Sequence, residues 1–186
     1  LEPIYGDLRD FDAIRKAMMG VDTVFHLAAS ISIPYSYVHP SEVIKVNVEG
    51  TLNILLAARE LGARRVVLTS SSEVYGTAQY VPIDERHPLQ PQSPYAASKV
   101  AADMLGLSFF RTYQFPVAIV RPFNTYGPRQ SMRAVIPTII AQALTQETIT
   151  LGALHPTRDF LYVDDTVRAF LVAAIHEQAV GEVVHF

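Results

Sequence analysis

The sequence predicts an α/β fold built on a doubly wound parallel sheet, and two observations carry that expectation. Short β-branched runs (DTVFHLAA at 22–29, RRVVLTS at 64–70, FPVAIVRP at 115–122) alternate with longer segments of helical character. Small and hydroxyl-bearing residues then follow those runs, as in TSSSE after RRVVL, at the carboxyl ends where open α/β sheets place ligands.

Taken in order, PIYGD reads as a strand ending at Asp7, and Asp10 is placed to cap a helix running through Met19. DTVFHLAA is a buried strand that runs out into the loop SISIPYSYVHP. A long helix is expected from Ser41 to Leu61, with Gly62 as its stop. RRVVLTS is the next strand, and VPIDERHPLQPQ is a proline-rich surface loop. Ser93-Pro94 opens a second long helix to Tyr113, because proline is tolerated in a first helical turn. FPVAIVRP follows as a strand. After Gly127 the alternation lapses into a helix near 135–144, then TITL, then RDFLYV. Asp164 is expected to cap a last helix through His176, before GEVVHF. Residues 1–124 thus read as a sheet-building lobe, 125–162 as an insertion that completes a pocket, and 163–186 as a returning helix and strand.

Composition narrows the function. Of 186 residues, 49% are hydrophobic and 18% charged, which argues against disorder. The net charge is -3 and the longest basic cluster is the pair Arg64-Arg65, so no basic stripe for nucleic acid is present. There is no cysteine, hence no disulfide or thiolate metal site, which fits a reducing compartment. His39, His87 and His155 each precede proline, and no HExxH pair occurs, so no metal site is expected. The longest apolar runs, such as AFLVAAI at 169–175, are too short to span a bilayer.

The nine glycines are also informative, since no two lie within ten residues of each other. Dinucleotide-binding folds open on a turn with several glycines, which lets backbone N–H groups approach the pyrophosphate. Either this protein binds no dinucleotide, or a first βαβ unit with that turn lies outside this chain. The chain begins without methionine and stops inside a strand-like run, so both ends are expected to be truncations.

Two stretches offer chemistry. Tyr95 and Lys99, in SPYAASK, share a helix face, and a nearby ammonium favours the phenolate of a tyrosine used as a base. By itself the pair also reads as an exposed polar couple. In TSSSEVYG a serine hydroxyl could bond a substrate oxygen, while Glu73 could take a proton from carbon. By itself that stretch also reads as serines capping a turn, with Glu73 favoured by its dipole.

The ordered set HLAA, NVEGTLN, TSSSEVYG, SPYAASK, RPFNTYGPR and TRDFLYVDD closely resembles the extended short-chain dehydrogenase/reductases that act on nucleotide sugars, the NAD-dependent epimerase/dehydratase family. The resemblance covers almost the whole chain, from GDLRD to LYVDD. It implies a Rossmann-like sheet over 1–124 with its first βαβ unit missing, and part of a smaller substrate-binding lobe over 125–162. It implies that Asp7 and Leu8 contact adenine, and that Leu27, Ala28 and Ala29 lie along the dinucleotide. It implies Ser71 as the catalytic hydroxyl, Tyr95 as the base, and Lys99 as the residue that bridges the nicotinamide ribose and lowers the tyrosine pKa. Asn124 and Arg158 are implied near the sugar-nucleotide diphosphate, where a guanidinium fork suits phosphate oxygens; a loop-capping amide and a surface ion pair are their alternatives.

Within the family, an acidic residue at the Glu73 position is similar to the 4,6-dehydratases, which remove a C5 proton after oxidation at C4. Ser72 stands where the dTDP-glucose type carries an acid, so Ser72 is a possible proton relay, and the pattern looks closer to dehydratases acting on GDP-mannose or UDP-N-acetylhexosamines. The reading is therefore a nucleotide-sugar 4,6-dehydratase using NAD, or NADP, and forming a homodimer through the helices near 41–61 and 94–113. A cytoplasmic location is expected, with no membrane and no nucleic-acid partner. The alternatives are a 4-epimerase, a nucleotide-sugar acid decarboxylase, a non-catalytic dinucleotide-binding protein, or a fragment inactive by itself.

Overall fold

The computed structural model describes residues 2–186. In chain order its elements are α1 (Phe11–Ala17), β1 (Thr23–His26), α2 (Ile33–Val38), α3 (Pro40–Ile44), α4 (Gly50–Glu60) and β2 (Arg65–Thr69). There follow α5 (Pro94–Tyr113), β3 (Val117–Arg121), β4 (Asn124–Tyr126), α6 (Val135–Thr145), β5 (Phe160–Tyr162), α7 (Val163–Ile175) and β6 (Val183–His185). Four strands form one parallel sheet in the order β1-β2-β3-β6, and β4 and β5 form a separate parallel pair.

The strand sequences explain why the sheet is covered on both sides. Successive residues of a strand point to opposite faces. Val66 and Leu68 therefore join Ile14, Leu55, Ala58 and Phe109 beneath α1, α4 and α5. Val67, between them, joins Phe170, Ala173 and Ala174 beneath α7. Residues buried on both faces produce the near-continuous apolar runs seen in the sequence.

Helix ends are set by local chemistry. Ser93 accepts the Ala96 N–H at 3.0 Å and Pro94 occupies the first turn, so α5 starts there; it stops at Gln114, which takes a left-handed conformation at φ 53°. Asp10 caps α1 by accepting the Ala13 N–H at 3.1 Å. The long helix expected over 41–61 is present as α3 and α4 joined by a π-helical turn at Lys45–Glu49. Such widened turns are rare in helices and concentrate at functional sites.

Two sequence expectations need correction, and one buried arginine was not anticipated. Residues 3–7 form no strand, since an extended segment needs a ladder partner and none pairs with them among the described residues. Asp164 is not the cap of α7; it lies inside the first turn with Asp165, where the helix dipole favours carboxylates, and Tyr162 occupies the cap position. The Arg64-Arg65 pair is divided: Arg65 is buried, giving Nη1 to the carbonyls of Ala173 (3.3 Å) and His176 (2.8 Å) and Nη2 to Glu177 (2.9 Å). Arg65 thereby closes the carboxyl end of α7. Among the described residues no helix is long and apolar enough to cross a membrane.

Candidate active site

The site lies where β2 ends. Ser71 is the first residue past the strand that leaves the sheet, and its Oγ caps a 3₁₀ turn, Ser72–Tyr75, by accepting the Glu73 N–H at 3.2 Å. That turn leaves Glu73 exposed while Val74 and Tyr75 are buried as its anchor. Gly76 ends the turn at φ 63°, and a Cβ there would run into the carbonyl oxygen of Gln90.

The first turns of α5 face this strand end. Tyr95 and Lys99 are both buried, one turn apart. Burial raises the pKa of Tyr95, the Ser71 hydroxyl opposes this as a hydrogen-bonding partner, and the carboxylates of Glu73 and Asp103 reinforce it. Burial lowers the pKa of Lys99, and Asp103 opposes that. The Lys99 ammonium donates to the Thr69 carbonyl at the last residue of β2. Ser71 thus meets Tyr95, with Glu73 on the open side, but the expectation that Lys99 lowers the tyrosine pKa is not met: the ammonium is turned to the Thr69 carbonyl, and burial leaves the Tyr95 pKa raised.

Glu73 and Ser72 also line a cleft of about 900 Å³. Asn124 on β4 and Arg158 just before β5 line the same cleft, together with His155 and His185. Arg158 is exposed and its Nη1 donates to the Thr157 carbonyl at 2.7 Å. The β4–β5 pair therefore places Asn124 and Arg158 opposite the Glu73 turn. A cleft of this size, with two carboxylates (Glu73 and Asp159), one guanidinium and the amides of Gln92 and Asn124, suits a polar ligand, and Arg158 is its donor for phosphate oxygens.

The remaining residues lie along the other side of the strand ends. Leu27 and Ala28 are exposed just past β1, and Ala29 is half-buried. Asp7 has both carboxylate oxygens taken by Arg9, at 2.9 and 2.6 Å, and that hydrogen bonding lowers its pKa to about 2. Leu8 packs on the long helix at Gly50, where a Cβ would lie 2.7 Å from the Leu8 Cβ, and the Leu8 carbonyl accepts from Asn53 at 2.9 Å.

Sequence reasoning singled out NVEGTLN as a motif but gave its members no task. Asn47, in the π-helical turn, exchanges hydrogen bonds with the backbone of Ser30 (2.7 and 3.0 Å) and donates to Ser98 Oγ at 2.8 Å. Thr51 pairs with His26 at 3.0 Å, and burial followed by the Lys99 charge lowers the His26 pKa to about 4. Polar residues at four-residue spacing inside an apolar helix were the available signal. Asp103, four residues beyond Lys99, was likewise visible as a third member of the Tyr95–Lys99 stripe. Among the described residues no cluster of three or more metal-ligating side chains occurs.

Comparison with known proteins agrees with this arrangement. The family profile for GDP-mannose 4,6 dehydratase matches residues 1–185. The chain is 40% identical over 152 residues to human dTDP-D-glucose 4,6-dehydratase, covering 81% of this chain and 43% of that protein. It is 41% identical over 157 residues to UDP-glucose 4-epimerase of Mycolicibacterium smegmatis, covering 82% of this chain and 50% of that protein. It superposes with a TM-score of 0.86 and 36% identity on DesIV, the dTDP-glucose 4,6-dehydratase of Streptomyces venezuelae with NAD and TYD bound, over 97% of this chain and 56% of that one. The chain thus spans about half the length of the relatives it matches. The parallel sheet with Ser71 and Tyr95 at its strand end and the match over residues 1–185 lead to one statement: the chain belongs to the GDP-mannose 4,6 dehydratase family of nucleotide-sugar-modifying dehydratases and epimerases.

Proposed function

We propose that this chain carries the catalytic residues of an NAD-dependent nucleotide-sugar 4,6-dehydratase. The observation that carries the reading is the exposed Glu73 carboxylate on the cleft, one 3₁₀ turn from the Ser71–Tyr95 pair. The same carboxylate would serve no purpose in a reaction confined to C4.

The residues present fit a nicotinamide dinucleotide. Leu27 and Ala28 leave the backbone open past β1, Gly50 makes the close seat that fixes Leu8, and the Asp7 carboxylate is ionised beside it. Lys99 offers a buried ammonium to a ribose hydroxyl. When bound, the nicotinamide supplies the hydride acceptor for C4 and the hydride donor for C6.

This chain's own residues do the rest. Ser71 holds the O4 hydroxyl of the sugar and Tyr95 takes its proton, so that C4 becomes a ketone. The ketone acidifies the hydrogen at C5. Glu73 takes that proton and, with Ser72 beside it, returns a proton to the departing C6 hydroxyl, which leaves as water. Asn124 and Arg158 hold the diphosphate across the cleft, and the guanidinium supplies a two-pronged donor to its oxygens. The segments 125–162 and 163–186 act as substrate lobe and returning sheet element. A 4-epimerase is the second reading, favoured by the 41% identity to the mycobacterial epimerase.

A homodimer is part of the proposal. Leu56 on α4, Met104 and Tyr113 on α5, and Ile44 on α3 remain exposed on the long helices. Apolar residues along two adjacent helices suit an isologous four-helix contact. A cytoplasmic location goes with the same reading.

The test is incubation of the whole protein with NAD and, separately, GDP-mannose, UDP-N-acetylglucosamine, dTDP-glucose and UDP-glucuronate. Loss of one water from a neutral hexose supports dehydration. An unchanged mass with inverted C4, or loss of carbon dioxide from the glucuronate, refutes it.

A further inference from the structure

Behind the catalytic residues lies a buried ion pair for which the proposed reaction has no use. Asp103 is 1% and Arg121 3% exposed. Asp103 Oδ2 accepts from Arg121 Nε at 3.0 Å, from Arg121 Nη2 at 2.8 Å and from Ser70 Oγ at 2.8 Å. Arg121 Nη1 donates to the Tyr75 hydroxyl at 2.7 Å, and Tyr75 in turn pairs with His185 on the cleft wall.

Removing two charges from water costs several kcal/mol per ion, and apolar replacements of such pairs are often neutral or stabilising. Stability alone is therefore a weak reason for the pair. Its connections supply a better one. Ser70 immediately precedes Ser71. Tyr75 closes the 3₁₀ turn that presents Glu73. Asp103 is two turns along α5 from Tyr95 and one from Lys99. One carboxylate and one guanidinium thus bind every segment that bears a proposed catalytic group.

We propose that the Asp103–Arg121 pair is the positioning device of this active site: it fixes the Ser71–Glu73 turn against the helix of Tyr95 and Lys99. The inference rests on the dehydratase reading for the meaning of those groups, but not for its test. Asp103 is a positioning residue, since nothing places it in reach of a ligand.

The charged surroundings give the proposal a direction. Tyr95 is acted on by Ser71, Glu73 and Asp103. Lys99 faces the Thr69 carbonyl and Asp103, and its charge reaches His26. Asp103 is faced by Arg121, Ser70 and Lys99. Removing the Asp103 charge frees the Tyr95 phenolate of a repelling neighbour and deprives the Lys99 ammonium of an attracting one, so both groups titrate at lower pH.

The experiment is a phenolate absorbance titration of the whole protein without substrate or added cofactor. Subtracting the Tyr95→Phe counterpart isolates Tyr95 from the chain's nine tyrosines. Asp103→Asn is expected to move the Tyr95 midpoint to lower pH and, in turnover, to lower kcat by about 10 to 100-fold with KM little changed. Arg121→Lys keeps the charge but loses the fork, so kcat is expected to fall while the midpoint stays. If Asp103→Asn does not fold, Asp103→Asn/Arg121→Gln leaves no orphaned charge and is titrated in the same way. An unmoved Tyr95 midpoint, or an unchanged kcat in Asp103→Asn, overturns the proposal. A protein inert toward every nucleotide sugar would sink the dehydratase reading alone, because the midpoint is read without turnover.

Discussion

Asn47 donates from Nδ2 to Ser98 Oγ at 2.8 Å, joining the π-helical turn to the helix that carries Tyr95. The Ser98 hydroxyl passes the link on to the Tyr95 carbonyl at 2.6 Å, and the same asparagine holds both backbone groups of Ser30. The widened turn is what brings this amide between two segments that otherwise do not touch through polar groups. Asn47→Ala should therefore deprive both the Ser30 N–H and the Ser30 carbonyl of their partner, while the Ser98 hydroxyl keeps its bond to the Tyr95 carbonyl. A loss of roughly 1–3 kcal/mol is expected from these two half-buried backbone groups. The urea midpoint measures it, and amide exchange at Ser30 should quicken more than that at Val67.

Glu73→Gln should leave stability unchanged, since Glu73 is exposed on the cleft. Product formation should fall by about 10² to 10⁴-fold, the usual contribution of a positioned acid or base. Reduced nicotinamide should accumulate, because oxidation at C4 precedes the step that is blocked. Tyr95→Phe should show no reduced nicotinamide at all. Stopped-flow absorbance and product mass distinguish the two, and little effect of Glu73→Gln would favour the epimerase reading.

His26 makes stability depend on pH. Its folded pKa is held near 4 by burial and then by Lys99, below the ordinary value of 6.5. The unfolded chain therefore binds the proton more readily, so the His26 contribution is complete above pH 6.5 and is lost as the pH falls toward 4. The full effect is of order 3 kcal/mol. His26→Gln should flatten the fall in urea midpoint between about pH 7 and about pH 5.

Gly76→Ala should be more harmful than an ordinary loop substitution. Its φ of 63° is disfavoured for alanine, and the new Cβ meets a backbone oxygen, at Gln90, that cannot rotate away. A cost of roughly 1–3 kcal/mol is expected, read as a lower thermal midpoint. Weaker catalysis should accompany it, because Gly76 closes the turn that presents Glu73.

The strands β1, β2 and β3, helix α5 and the placing of Ser71 beside Tyr95 were legible because periodicity, capping and motif order all agreed. Helix α5 begins at Pro94 and ends at Tyr113, as Ser93-Pro94 and the apolar pattern indicate. Other features were set by tertiary context. PIYGD has strand-like residues yet no neighbour to pair with among the described residues, and local propensity does not report whether a ladder partner lies alongside. Nothing in RRVVLTS tells which arginine is buried; the carbonyls at the end of α7, more than a hundred residues away, draw Arg65 into the interior. The partnership of Asp103 with Arg121 was equally out of reach, since spacing along α5 places Asp103 on the right face without naming what crosses the sheet to meet it.

Strand β2 has a consequence for how this protein can change over generations. Its first residue, Arg65, locks α7, and its last, Thr69, receives Lys99. Five residues at about 3.3 Å each fix the span between those two duties. A single inserted or deleted residue would exchange the faces of Val66, Val67 and Leu68 and pull one end out of place. The proline-rich stretch from 81 to 92, which lines the cleft at Val81, Pro82, Ile83 and Gln92, is instead held at points, by the Gln90 N–H on the Val74 carbonyl and by Glu85 on the His185 N–H.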